Sequence, residues 1–333
     1  MNPSRRVVAG WLGTLVLAAV LDGQVLFAEQ PVEERRPRVE LGVGAWISTG
    51  ETKWAHNASS IPGLGDPTSK LKYKDVGTNI VDLTGKVWIT PRWFGRLNFG
   101  IADIGGGRLT DDDYGAGQTL FSRTDSDING VSTWYVNADL GAKVKEFPNH
   151  RGYLELFGGY QFWYTKYQAV GLSQVVCNPA AIPGLTCDPA GTVTHQGQTV
   201  ITNTAHWHSL RVGGTAEYRL TRRFSVQSTV AFIPVSVIDN NDIHNLRTSG
   251  PGALQQNPSI SMLGYGIGAD ADVGARFMIL KNLYASVGYR IWWNMMLDGN
   301  VTFHNANAPS SKFPLTEFQS YRQGLTFGLN YSF

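Results

Sequence analysis

The sequence predicts an all-β fold, a ten-stranded antiparallel transmembrane β-barrel with long extracellular loops and short periplasmic turns. Three observations predict it. Apolar and polar residues alternate strictly in run after run, the connectors between runs alternate between short and long, and the chain ends on the aromatic Phe333.

Composition narrows the class first. Among 333 residues, charged side chains make up only 16%, glycines number 38 and aromatics reach 11%. That mixture suits transmembrane strands, where small residues line a crowded interior and aromatics mark the lipid interfaces. A formal net charge of +2 gives no electrostatic basis for binding nucleic acid. No segment beyond the N-terminus approaches the ~18 uninterrupted apolar residues of a transmembrane helix.

Residues 1–28 have the pattern of a signal peptide: Arg5 and Arg6 precede an apolar run that includes Leu15 to Val20, and cleavage is expected after Ala28. Residues 29–37 follow as a charged linker with Glu33, Glu34, Arg35 and Arg36. The barrel is expected over 38–333.

The runs then follow in order. Val39, Leu41, Val43, Ala45 and Ile47 alternate with Glu40, Gly42, Gly44 and Trp46, and Val81 to Ile89 alternates in the same way. Period 2 sends each set to one face of a strand. Further runs lie at about 96–102, 134–140, 154–162, 210–219, 224–232, 263–276, 286–294 and 321–333. Short turns are expected near Pro91, Pro148, Arg222 and Asn282, and long loops at about 49–75, 104–129, 169–204, 239–258 and 297–318. A secreted soluble barrel or sandwich also alternates. Here, however, strand pairs alternate for well over ten residues and the supposed exterior is apolar in every run, so the apolar set faces lipid.

The other set points inward. It carries Lys86, Arg96, Lys143, Arg211, Arg219, Arg276, Arg290 and Arg322 against Glu40, Asp82, Asp139, Glu155, Glu217, Asp270 and Asp272. Near-balanced charge in a narrow lumen predicts closure by ion pairs, because unpaired buried charge is costly. An open porin is therefore disfavoured, and function belongs at the long loops.

Two loop stretches carry chemistry. Leu109-Thr110-Asp111-Asp112-Asp113-Tyr114 falls in the second long segment, and Asp239-Asn240-Asn241-Asp242-Ile243-His244 in the fourth. Both open on the same side. In extended chain Asp111 and Asp113 share a face, as do Asp242 and His244. A histidine with a carboxylate, opposite a carboxylate pair, is a set that could activate water. Acidic loops are also commonly just solvated, and Asp112 is expected to be a bystander.

At these residues the chain resembles the omptin family of outer-membrane endoproteases. The family's second loop carries Asp-x-Asp-aromatic and its fourth Asp-x-His; Asp111-Asp112-Asp113-Tyr114 and Asp242-Ile243-His244 match them, and Gly158-Gly159-Tyr160-Gln161 and Asn330-Tyr331-Ser332-Phe333 are also similar. The resemblance spans essentially 38–333. It implies peptide hydrolysis at the cell outer membrane of a Gram-negative bacterium. His244 would be the general base, oriented by Asp242, while Asp111 and Asp113 hold the attacking water. Neither metal nor organic cofactor is implied. Lipopolysaccharide is implied as a lipid partner on which activity could depend, and surface peptides or proteins as substrates.

The chain also departs from the family. Omptins cut beside basic residues, using acidic groups at the pocket floor. The corresponding positions here are Asn240, with Asp239 one step off, and Trp54, with Glu51 close by. These four are the candidate substrate-binding residues, and a neutral floor removes the Coulombic reason to prefer Lys or Arg. The family's lipid-binding arginine falls at Tyr164, with Lys166 as the nearest cation. A non-enzymatic surface barrel, an adhesin or interaction protein on the same scaffold, is the competing reading.

Two smaller features complete the sequence. Cys177 and Cys187 lie close together in a polar stretch; in an exported protein they are expected to form a disulfide rather than a metal site. His206 and His208 share a strand face but have no evident third ligand.

Overall fold

The computed structural model describes residues 38–130, 132–250 and 252–333. The expected signal peptide and linker lie outside the described residues. Eleven antiparallel strands run in chain order: β1 (Val39–His56), β2 (Ser69–Trp88), β3 (Trp93–Gly115), β4 (Thr119–Ile128), β5 (Ser132–Glu146), β6 (Gly152–Cys177), β7 (Val193–Arg219), β8 (Phe224–His244), β9 (Ile260–Leu280), β10 (Leu283–Phe303) and β11 (Ser311–Ser332).

Each strand pairs with its sequence neighbours except that β4 and β5 do not pair with each other, and β1 closes the ring on β11 with Glu40 opposite Ser332 and Ala45 opposite Phe327. Ten staves result from eleven strands because β4 and β5 share one stave. The outer part of β3 pairs with β4, its inner part with β5, and β6 pairs with both in the same order. The ten-stave barrel expected from the sequence is thus present. The lengths differ: most of the segments expected as long loops are strand. β2 begins at Ser69 rather than near Val81, and β7 at Val193 rather than near Leu210. The barrel therefore stands well beyond its lipid belt.

That belt is formed by the expected apolar set. Leu41, Val43, Ile47, Val81, Leu97 and Leu325 are all about half exposed, pointing away from the lumen. Inside, all seven predicted anions find cations. Arg290 bridges Asp82 (2.7 Å) and Asp272 (2.8 Å), while Arg96 pairs with Asp139 (2.8 Å). Arg211 lies between Asp139 (3.6 Å) and Asp270 (3.5 Å), Arg276 takes Glu217 (2.9 Å) and Glu40 (3.7 Å), and Lys86 takes Glu155 (2.5 Å). Arg322 differs: 1% exposed, it donates to the hydroxyls of Ser48 and Thr78 rather than to a carboxylate.

Above this network sits an aromatic layer. Trp292 packs edge-on against Tyr135 (4.5 Å between centroids), Trp46 (5.1 Å) and Trp163 (5.9 Å). Beyond it the inward face becomes apolar, with Leu71, Leu109, Ile201, Ile260, Met262, Leu315 and Phe318 buried in one cluster. The interior thus has two compartments, an ion-paired lumen within the lipid belt and, outside it, a chamber filled by the packed apolar cluster. Removing Arg290 should leave Asp82 and Asp272 uncompensated. Arg290→Met is expected to destabilise the refolded barrel by about 3–5 kcal/mol, whereas the exposed Lys145→Met stays within about 0.5 kcal/mol; denaturant unfolding in lipid checks both.

Candidate active site

The two motif stretches lie on strands rather than in loops. Asp111 and Asp113 stand near the outer end of β3, and Asp242 and His244 end β8. Alternation holds there, so Leu109, Asp111 and Asp113 face inward while Thr110 and Asp112 face out. Asp112 is tied to Arg123 on the outer wall (2.6 Å) and does not face the chamber. Register places Asp111 beside Leu71 and Asp113 beside Ser69 on β2, whose hydroxyl donates to Asp111 Oδ1 (3.3 Å).

On β8, Asp242 lies opposite Asn203 of β7 and Ile260 of β9, and His244 opposite Ile201. The Asn203 amide donates to Asp242 Oδ2 (3.3 Å), and it exchanges hydrogen bonds with the Asn240 amide (3.1 and 2.9 Å). The other Asp242 oxygen and the Trp54 indole N–H are buried, and neither has another partner; the indole faces the carboxylate across the chamber. The backbone around the motif is pinned by Ser259, whose hydroxyl accepts from His244 N (3.0 Å) and whose N–H donates to Asp242 O (3.1 Å).

Burial dominates the electrostatics. It pushes Asp111 well above the usual carboxylate range, and the charges of Asp113 and Asp242 push it further. Asp113 is raised by burial and partly brought back by Ser69 and Arg247. Asp242 is pushed up to about 7 by burial, against the pull of Asn203, its own backbone and Trp54. His244 is pushed down to about 3 by burial and by the Arg247 charge, so its imidazole is neutral at physiological pH. Tyr73 is raised by burial and then by the charges of Asp242 and Asp111.

The structure therefore brings Asp111, Asp113 and Asp242 into one electrostatic group. It does not make the expected link between Asp242 and His244. No hydrogen bond joins them among the described residues, and His244 Nε2 is buried without a partner. Asp242 is held instead by the Asn203 amide at Oδ2, and its Oδ1 is buried without a partner. Two more expectations are corrected. Glu51 and Asp239 face outward, Glu51 paired with Lys72 (3.0 Å) and Asp239 exposed, so neither reaches the chamber. Trp54 (1% exposed) and Asn240 (0%) do line it.

Against this geometry, comparison with known proteins is informative about the fold. The outer membrane protease OmpT from Escherichia coli superimposes with a TM-score of 0.70 at 18% identity, covering 89% of this chain and 96% of that one. The chain has the fold of an outer-membrane barrel. The translocator domain of the autotransporter NalP from Neisseria meningitidis (TM-score 0.35, 8% identity, 90% of each chain) and the toluene transporter TbuX of Ralstonia pickettii (0.33, 10%, 90% of each) are far less similar. No protein-family profile matches the sequence, and no curated protein does.

Sequence reasoning missed Ser69, Tyr73, Asn203 and Arg247. For the first two a signal existed. Leu71 and Tyr73 alternate with Lys70, Lys72 and Lys74, which marks the outer half of β2 as strand. Asn203 is visible only once β7 and β8 are in register. The remaining features sit apart from the chamber. Cys177 and Cys187 are bonded, with Cα atoms 5.7 Å apart, closing the connector after β6. His208 Nδ1 meets the Tyr160 hydroxyl (2.6 Å) and His206 packs on Tyr164 (5.2 Å), both in an aromatic cluster on the outer wall.

The raised Asp242 yields a pH prediction. The unfolded carboxyl ionises near pH 4 and the folded one near 7, so its contribution to stability is full below about pH 4 and lost as pH rises to 7. His244 acts with the opposite sign, its contribution being present above about pH 6.5 and lost as pH falls towards 3. Asp242→Asn removes the first and keeps the second. The variant should be more stable than wild type at pH 8, with the gap closing by pH 4, as read from thermal unfolding at both pH values.

Proposed function

We propose that this protein is an omptin-like endopeptidase of the Gram-negative outer membrane that hydrolyses peptide bonds with an activated water. The observation carrying this reading is the convergence of the buried Asp242, the half-buried Asp111 and Asp113 and a neutral histidine on the inner side of the barrel end that bears the longer connectors. The OmpT-like fold supports it.

In the proposed reaction Asp111 and Asp113 hold the water, one sharing a proton because two neighbouring carboxylates resist joint ionisation. Water oxygen attacks the peptide carbonyl carbon as His244 takes its proton; the C–N bond then breaks and the imidazolium returns that proton to the leaving amine. Asp242 acts through its charge, stabilising the imidazolium as it forms. The nucleophile is water, so neither a covalent intermediate nor a cofactor enters the scheme.

Lipopolysaccharide is the proposed lipid partner. The reading follows from the family resemblance; the outer wall around Lys70, Lys72 and Lys74 is charge-mixed, with Lys70 paired to Glu317 (2.9 Å), Lys72 to Glu51 (3.0 Å) and Arg123 to Asp112 (2.6 Å). The competing reading, a non-catalytic adhesin or interaction barrel, draws on one observation: the missing hydrogen bond between Asp242 and His244.

The experiment is cleavage of a peptide library by the full chain refolded with lipopolysaccharide. His244→Ala should lower kcat by roughly 10²–10⁴-fold, and omitting lipopolysaccharide should reduce activity. Cleavage untouched by His244→Ala would exclude the mechanism, and no cleavage of any peptide would favour the adhesin.

A further inference from the structure

The strand segment that carries Asp111 and Asp113 is weakly tied to the barrel below it. β3 passes from its inner to its outer half through Gly105-Gly106-Gly107, with Gly106 at φ +150°. Residues without side chains offer little resistance to a pivot. β2 has a joint at the same level: Asp75 takes φ +55°, and its ladder to β3 is interrupted between Lys74 and Gly77. β4 adds no support from below, because it does not pair with β5 among the described residues. The outer parts of β2, β3 and β4 thus form a flap, one edge of which is held by β6.

That hold is short and irregular. Between β4 and β6 the register shifts after Arg123 and again after Asp125. At the outer end one row of paired residues crosses four strands: Ser69 of β2, Asp113 of β3, Ser122 of β4 and Cys177 of β6. Residues paired in this way share a face, and two strand spacings put Cys177 roughly 10 Å from Asp113. The bond to Cys187, ten positions on, closes the connector that follows β6. This closed connector grips the β3–β4 hairpin. Asn178 N donates to Phe121 O (2.8 Å), and Ala181 O abuts Gly115, leaving no room for a side chain there. Its far end returns to β6: Gly191 N donates to Gln174 O and Gln174 N to Thr192 O (both 2.8 Å). The Gln174 amide in turn donates to Ser122 Oγ (2.9 Å).

We infer that the Cys177–Cys187 bridge is a positioning element for Asp111 and Asp113, locking the flap to β6 so that both carboxylates hold their place in the chamber. This role rests on the hydrolase reading and places a covalent brace outside the reacting groups. Without the bond the connector gains many open conformations, and its grip on Phe121 and Gly115 loosens. The flap then pivots at its glycine joint, and the carboxylate pair leaves the place where it holds water.

The test uses the full chain refolded in lipopolysaccharide-containing micelles, with the bridge intact, reduced after folding, or absent in Cys177→Ser/Cys187→Ser. The reductant is a dithiol, which gives up two electrons and two protons to the bridge and closes into its own disulfide. Reduction of the folded chain covers the case in which the double variant does not fold. Opening the bridge should raise amide hydrogen exchange over residues 107–115 and 119–128 by at least about tenfold and leave 201–219 and 224–244 unchanged. It should lower kcat for peptide cleavage by roughly 10–100-fold with KM within about threefold, and reoxidation should restore kcat. Unchanged exchange would overturn the inference. Exchange raised equally on β7 and β8 would also overturn it, by making the bridge a general staple. Loosened exchange with unaltered kcat would overturn it and leave the hydrolase reading standing. An oxidised wild type that cleaves no peptide would overturn the hydrolase reading, and the catalytic role of the bridge with it.

Discussion

Closure of β1 on β11 is the constraint on which everything else depends. In hydrocarbon, every backbone N–H and C=O must be paired within the protein, and a sheet with free edges cannot meet that demand. The β1–β11 ladder, running from Glu40 opposite Ser332 out to Ala55 opposite Glu317, removes both edges at once. With the ring closed, each strand has only an inside and an outside. Period-2 alternation then assigns every side chain to lumen or lipid, and a slip of one residue would reverse the whole strand.

The lumen inherits a problem from this arrangement. Its polar side chains cannot reach bulk water, so their charges must cancel locally. Arg290, Arg211 and Arg276 each touch two carboxylates, making a network rather than a set of isolated pairs. Such a network braces the lumen around a residual cavity of about 250 Å³. The aromatic layer around Trp292 then separates it from the outer chamber, where the same alternation presents Leu71, Ile201 and Ile260 instead of charges.

The apolar chamber gives its few polar groups unusual properties. A carboxylate there lacks solvation, so Asp242 titrates near neutrality and Asp111 holds its proton more tightly than an exposed aspartate, while His244 stays neutral. Desolvation strengthens electrostatic effects in such a site, and it makes unpaired charge expensive. The remaining acids of the outer half are turned to the exterior, where they are exposed or paired with lysines and arginines.

What the sequence by itself determined is whatever follows from alternation. Val39 to Ile47 and Tyr321 to Phe333 announce which face meets lipid, the inward charges foretell their own pairing, and Asp111, Asp113, Asp242 and His244 stand out as same-face pairs. Alternation is a local property, written in each strand without reference to its neighbours. The loop boundaries were misjudged because the outer half of β2 alternates lysines with Leu71 and Tyr73, a pattern that reads as polar until its apolar face is covered. Register and reach across the chamber were left to the tertiary structure. It placed Asn203 against Asp242, turned Trp54 towards the same carboxylate, sent Glu51 and Asp239 outside, and left His244 without its expected partner. Some of those outcomes depend on residues far apart in sequence, Trp54 and Asp242 among them, and only the closed ring of strands brings such residues together.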